Sequence, residues 1–243
     1  LRHGQSKWNH ENRFTGWTNV DLTQKGENEA KEAGVLINKK KFIIDKVYTS
    51  YLKRATNTAK ICLNQLKIKN LDLVYDWRLN ERHYGNLQGL NKTETAEKYG
   101  DEQVQVWRRS YNTPPPPMNE KDDRHPSKDL LYSKINQELL PSSESLKDTV
   151  KRVIPVIDDV LIPEIKNNIK IMIVAHGNSL RAIIKVLKEV SDRDIVSLNI
   201  PTGSPYILEM NSNLKVVKDY YLGDIEKIQK KAKEVENQGR SLN

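Results

Sequence analysis

Apolar residues recur along this chain at two spacings, and the spacing changes at regular intervals. In "YLKRATNTAKICLNQL", Leu52, Ala55, Ala59, Leu63 and Leu66 stand three or four apart, which puts them on one face of a helix. The same spacing in "SLRAIIKVLKEV" aligns Leu180, Ile183, Ile184 and Leu187. "SLKDTVKRVIPVIDDVLI" reads as a third amphipathic helix, bent at Pro155. Between them lie short extended runs, "DKVYTS" and "LDLVY", and one unbroken apolar run, "IKIMIVA", of the kind a strand buried on both faces needs. Strands alternating with helices predict an α/β fold: one three-layer domain over residues 1–243, a mostly parallel central sheet with helices on both faces. Leu1 reads as the end of a first strand whose earlier part is expected to precede the given sequence.

One segment breaks the alternation. "YNTPPPPMNEKDDRHPSKD", residues 111–129, carries four consecutive prolines and mixed charge, so it predicts a long surface loop. No internal repeat and no interdomain linker is apparent. No stretch is apolar for the ~18 residues that span a bilayer, and no signal peptide is visible, so a membrane location is not expected. Cys62 stands alone, which forbids an internal disulfide and fits a reducing cytosol; its helical context predicts a buried thiol. The net charge of +8 favours anionic partners, with plain solubility as the alternative.

The candidate chemistry sits where apolar runs end. "LRHGQSKWN" and "IVAHGNSLRA" each place His-Gly directly after apolar residues. In a parallel α/β sheet, ligands bind at the carboxyl ends of strands, so His3 and His176 are predicted to meet at one mouth. The glycines let the chain turn sharply, and Asn178 and Ser179 read as N-cap residues of the following helix. None of the five histidines has zinc-type spacing, so no metal is expected. Arg2 beside His3, and Arg54 at the start of the helix after "VYTS", supply guanidinium forks that suit phosphate. A neutral imidazole there can attack phosphorus. Departure of the ester oxygen then requires a proton, and Glu81 in the shaped loop "WRLNERHYGNLQGLNK" can supply it. Arg108 and Arg109 can both face one ligand only near a helix edge. Taken singly, each has a plainer reading: Arg54, Arg108 and Arg109 as solvated charges, Glu81 as a surface partner of Arg82.

Together with "NRFTGWTNVDLTQKG", "LNIPTGSP" and "YYLGD", these segments resemble the cofactor-dependent phosphoglycerate mutases of the histidine phosphatase superfamily, in order along nearly the whole chain. The resemblance implies that His3 is the phosphorylated nucleophile, that His176 stabilises the transferring phosphoryl group, and that Glu81 is the proton donor and acceptor. It implies that Arg2, Asn9, Arg54, Gly177 and Asn178 surround the phosphoryl group, and that Thr15, Gly16, Arg82, Tyr84, Lys92, Arg108 and Arg109 hold the rest of a phosphoglycerate. The implied reaction interconverts 3-phosphoglycerate and 2-phosphoglycerate, with His3 primed by 2,3-bisphosphoglycerate and no metal. A bisphosphoglycerate mutase or a phosphatase of the same superfamily is the alternative. Gly16, where the sibling bisphosphoglycerate mutases carry a bulkier residue, argues for the glycolytic enzyme. Gln5 stands where the family often has Glu. A cytoplasmic homodimer or homotetramer is expected. Nucleic-acid binding is not: aromatic content is 7% and only "VWRRSY" mixes bases with aromatics. The tail 226–243, with Lys227, Lys230, Lys231 and Lys233, reads from composition as a frayed terminus; by resemblance it covers the active-site mouth.

Overall fold

Thr23 opens the first long helix: its side chain accepts a hydrogen bond from the Gly26 amide, one of the donors a helix leaves unmet at its start. From there the alternation of the sequence becomes an alternation of elements. A computed structural model describes residues 1–66, 68 and 71–237. In chain order it contains α1 (Lys7–His10), α2 (Gln24–Lys39), β1 (Lys46–Thr49), α3 (Lys53–Leu66), β2 (Leu73–Tyr75), α4 (Lys92–Tyr99) and α5 (Asp101–Arg109). α6 (Leu146–Val156), α7 (Ile162–Lys166), β3 (Ile171–Val174), α8 (Gly177–Leu187), β4 (Tyr206–Met210), β5 (Val216–Tyr221) and α9 (Ile225–Asn237) follow.

The central sheet runs β2-β1-β3, all parallel, and β4 pairs with β5 in a separate antiparallel ribbon. Successive strand residues feed opposite faces. Val47, Met172 and Val174 pack with Ala33 and Ile37 of α2 and Ala59 and Cys62 of α3. Tyr48, Ile171 and Ile173 pack on the other face with Val150, Val153 and Val156 of α6 and Leu180, Ile183 and Ile184 of α8. These two apolar layers are the helices-on-both-faces arrangement that the alternation predicts, and Cys62 is buried in one of them.

Two boundaries depart from the sequence reading. The helix after "VYTS" starts at Lys53, because Ser50–Leu52 turn the corner out of β1. α8 is not capped by Asn178 or Ser179. His176 itself is the N-cap, in an extended conformation, and Ser179 reaches back so that its hydroxyl accepts from the His176 amide at 3.2 Å. The third helix runs on past its proline, as the sequence reading has it: α6 continues through Pro155, widens to a π-helical turn over Ile157–Leu161, and continues as α7. Within the proline-rich segment, Pro115, Met118, His125 and Pro126 are buried, so this loop is packed down rather than solvated along its length.

The first residues complete the sheet edge beside β3. Arg2 bridges Ala175 in parallel, and the His3 amide donates to the Ala175 carbonyl at 2.9 Å. Both His-Gly pairs therefore leave the sheet side by side.

Candidate active site

His3 is buried against His176, their ring centroids 4.9 Å apart. The Nδ1 of His3 lies 2.7 Å from the Gly4 carbonyl. A carbonyl can only accept, so Nδ1 carries the proton and Nε2 presents a lone pair. Burial, followed by the nearby charges of Arg54 and Arg2, holds this imidazole well below its ordinary pKa. A neutral His3 with a defined nucleophilic nitrogen results. His176 is held neutral by the same causes, burial first and then Arg54. Its Nε2 shares a 2.7 Å hydrogen bond with Ser50 Oγ at the end of β1.

A cavity opens over His3. Its lining includes thirteen of the fifteen residues singled out in the sequence: Arg2, His3, Asn9, Thr15, Gly16, Arg54, Glu81, Tyr84, Lys92, Arg108, Arg109, Gly177 and Asn178. Seven of the lining side chains are Arg or Lys and one, Glu81, is a carboxylate. Such a surface selects a ligand with several negative charges. Burial and the neighbouring Arg108, Arg2 and Arg109 push the Lys92 ammonium well below its usual range. Lys92 also stands in the first turn of α4, where the helix dipole disfavours a cation, so its placement follows the cavity rather than the helix. Arg108 and Arg109 occupy the last turn of α5, the helix edge that lets neighbouring side chains reach one space. Asn9 accepts from the Ser6 amide through Oδ1, which leaves a donor NH2 as its other end. Among the described residues, Arg2 Nε, Thr15 Oγ1 and Arg181 Nε are buried without a hydrogen-bond partner on residues that line the cavity.

Two predicted residues lie behind this wall. His176 supports the floor through His3. Arg82 points away: its Nη2 donates to the Arg108 carbonyl at 2.9 Å, and its guanidinium stacks 4.5 Å from the Tyr84 ring centre. From there it supports two residues that line the cavity.

Glu81 is held by its backbone and by one of its two oxygens. Oε1 accepts from the Arg82 amide (2.8 Å), the Asn178 amide (3.1 Å) and Asn178 Nδ2 (2.8 Å). The Glu81 carbonyl accepts from Trp17 Nε1 at 2.6 Å and from Arg152 Nη2 at 3.2 Å. Arg152 also reaches the Arg78 and Asn80 carbonyls and forms a buried pair with Glu144, whose other oxygen takes the His83 amide. One ion pair thus clamps the loop on both sides of Glu81. Glu81 is buried, so the reading as a surface partner of the Arg82 side chain does not hold.

Sequence reasoning missed Arg13, Phe14, Arg181, Leu198, Asn199, Ile200 and Val235 in the lining, and the Arg152–Glu144 clamp beneath it. Arg181 had a signal: it lies three residues after Asn178 on α8, hence on the same helix face. Val235 belongs to α9, the described part of the basic tail. Arg109 Nη2 donates to its carbonyl at 3.1 Å, and Lys231 pairs with the buried Glu29 at 3.2 Å. The tail therefore lies against the cavity as a helix up to Asn237; residues 238–243 are outside the described residues. Among the described residues, no group of three or more His, Cys, Asp or Glu could hold a metal ion, and no helix is long and apolar enough to cross a membrane.

A family model described as the histidine phosphatase superfamily, branch 1, matches residues 1–222. The chain is 53% identical to a 2,3-bisphosphoglycerate-dependent phosphoglycerate mutase of Elusimicrobium minutum over 99% of its own length and 97% of the relative's. It is 54% identical to the protein of that name from Porphyromonas gingivalis, with the same coverage. Among solved structures, a mycobacterial glucosyl-3-phosphoglycerate phosphatase superimposes with a TM-score of 0.68 at 20% identity, covering 91% of this chain and 94% of that one. A putative alpha-ribazole-5'-P phosphatase from Escherichia coli gives 0.68 at 19% identity, covering 92% and 94%. These two likenesses speak for the fold.

Proposed function

The chain belongs to the histidine phosphatase superfamily, and from that premise we propose that its cavity interconverts 3-phosphoglycerate and 2-phosphoglycerate through a phosphorylated His3. The observation that carries this reading is the pairing of a neutral, tautomer-fixed His3 with a cavity lined by seven Arg and Lys side chains and a single carboxylate. The relatives' shared name, at above-half identity over nearly the full chain, supports it.

Arg2, Arg54 and Asn9 hold the phosphoryl group beside His3, and Nε2 attacks phosphorus in line. The developing charge on the equatorial oxygens falls among fixed donors, which need little reorganisation as the barrier is crossed. Glu81 protonates the departing oxygen and takes the proton back on return transfer. Tyr84, Lys92, Arg108 and Arg109 grip the carboxylate and the second oxygenated end of the substrate; Arg82 holds Tyr84 and Arg108 in place. 2,3-Bisphosphoglycerate fits the same residues, since its two phosphates and carboxylate match the excess of basic side chains and the partnerless Arg2 Nε and Thr15 Oγ1. When bound it supplies the phosphoryl group that primes His3. Gly16 has a left-handed backbone (φ 51°), and a Cβ there would fall 1.9 Å from Gln88 Oε1, which is buried and accepts from the Trp17 amide. A bulkier residue would therefore reshape this wall, which favours the mutase over its bisphosphoglycerate-forming siblings. α9 over the mouth keeps water from the phosphohistidine.

The test is conversion of 3-phosphoglycerate to 2-phosphoglycerate by the purified chain. Turnover should require traces of 2,3-bisphosphoglycerate and should survive EDTA unchanged. Release of inorganic phosphate without isomerisation would make the protein a phosphatase; loss with EDTA, restored by a divalent ion, would point to unrelated chemistry.

A further inference from the structure

Arg181 lines the cavity, but two of its nitrogens are committed to protein. Nη1 donates to Asn178 Oδ1 at 3.0 Å, and Nη2 donates to the Ile195 carbonyl. A guanidinium only donates, so the Asn178 amide must turn its oxygen toward Arg181 and its NH2 the other way. That NH2 meets Glu81 Oε1. With the Asn178 and Arg82 amides, Oε1 then has three donors. Oε2 lies 3.6 Å from where a Cβ on Gly177 would stand, at the cavity wall. The two oxygens of Glu81 are therefore not equivalent: one is saturated, the other faces the ligand.

We propose that Arg181 is a positioning residue that orients the Asn178 amide, so that Glu81 gives and takes its proton through Oε2 alone. The proton leaves Oε2 for the departing ester oxygen as the P–O bond breaks and the bond from His3 Nε2 to phosphorus forms. Without Arg181 nothing on this side dictates which end of the Asn178 amide faces Glu81. The flipped amide sets one oxygen against another and pushes the carboxylate out of line. This inference rests on the phosphohistidine reading above.

The experiment compares two phosphoryl donors in Arg181→Met and Arg181→Lys. Phosphoenzyme formation from 2,3-bisphosphoglycerate expels an alkoxide and needs the proton; formation from 4-nitrophenyl phosphate expels a stable phenolate and does not. For R181M the first rate should fall about tenfold to a hundredfold, part of the roughly 10²–10⁴ that loss of a general acid costs, while the second stays within about twofold. R181K keeps a donor for Asn178 and should fall between wild type and R181M on the first rate. Equal slowing with both donors, or a raised KM at unchanged kcat, would assign Arg181 to substrate grip and overturn the proposal. If R181M does not fold, R181K carries the test alone: slowing with 2,3-bisphosphoglycerate but not with 4-nitrophenyl phosphate supports the proposal, and equal slowing with both overturns it. Absence of phosphoenzyme in the wild type would instead overturn the underlying reading.

Discussion

The same dipeptide leaves the sheet twice, and the two copies do different work. At the first, a Cβ on Gly4 would fall 2.1 Å from the Gly26 carbonyl, because the chain after His3 passes directly over the start of α2. Gly26 is as tightly constrained from the other side, by Gln5. At the second, a Cβ on Gly177 would meet nothing nearer than 3.6 Å, and the atoms it would approach are the Arg2 guanidinium and Glu81 Oε2. The first glycine is required by packing; the second keeps room for a ligand. The histidines divide in the same way. His3 lines the cavity with Nε2 unprotonated, whereas His176 is fully enclosed, its ring against His3 and its Nε2 bonded to Ser50 Oγ. A repeated motif marks one place in the fold without implying one role.

The largest effect should come from the histidines. His3→Ala should remove measurable mutase turnover in the coupled 3-phosphoglycerate assay. His176→Ala should slow turnover but leave it detectable. Equal, complete loss in both would erase the distinction between nucleophile and support.

The glycines should separate stability from activity. Gly4→Ala forces backbone against backbone and should destabilise by about 3 kcal/mol, lowering Tm by roughly 6–12 °C. Gly177→Ala should leave Tm nearly unchanged while kcat/KM falls, because the added methyl occupies ligand space. Thermal melts and steady-state kinetics on the two variants decide. A Gly177→Ala variant as unstable as Gly4→Ala would break the contrast.

A smaller effect should make the two histidines alike. Burial holds His3 and His176 well below the ordinary value and His83 at about 3. In the unfolded chain each protonates near 6.5. The unfolded state therefore binds more protons as pH falls below about 6.5, and stability declines by about 1.4 kcal/mol per pH unit for each such residue until its folded value is reached. Urea midpoints between pH 7 and 4 should show this slope. His3→Gln and His176→Gln should each flatten it by one proton, although the proposed mechanism makes only His3 the nucleophile. An unflattened slope would mean that the imidazole in question is charged in the folded state.

Much of this was legible in the sequence, for physical reasons. Helix faces and buried strands follow from local periodicity, and the strand-end position of both His-Gly pairs follows from the apolar runs before them. The arginines were legible because few ligands other than an anion call for so many guanidinium groups near buried histidines. What stayed hidden depends on long-range or rotameric detail. Asn178 and Ser179 suit an N-cap by residue type, yet the extended backbone at His176 moved the cap upstream. Arg82 sits beside Glu81 in sequence, but it is buried behind the cavity wall, its guanidinium over Tyr84. Arg152 and Glu144 lie 71 and 61 residues beyond the Glu81 and His83 backbone groups they hold, where no local pattern connects them to Glu81. The strand order β2-β1-β3 is likewise set by packing across the sheet rather than by any single segment.

The central claim, that His3 and not its twin carries the phosphoryl group, is tested most directly by labelling. The wild-type protein is mixed briefly with 32P-labelled 2,3-bisphosphoglycerate, quenched in base and digested, and the labelled peptide is sequenced. The account predicts one acid-labile, base-stable phosphate on the peptide containing His3. A phosphate on the peptide containing His176, or a label stable to acid, would contradict it.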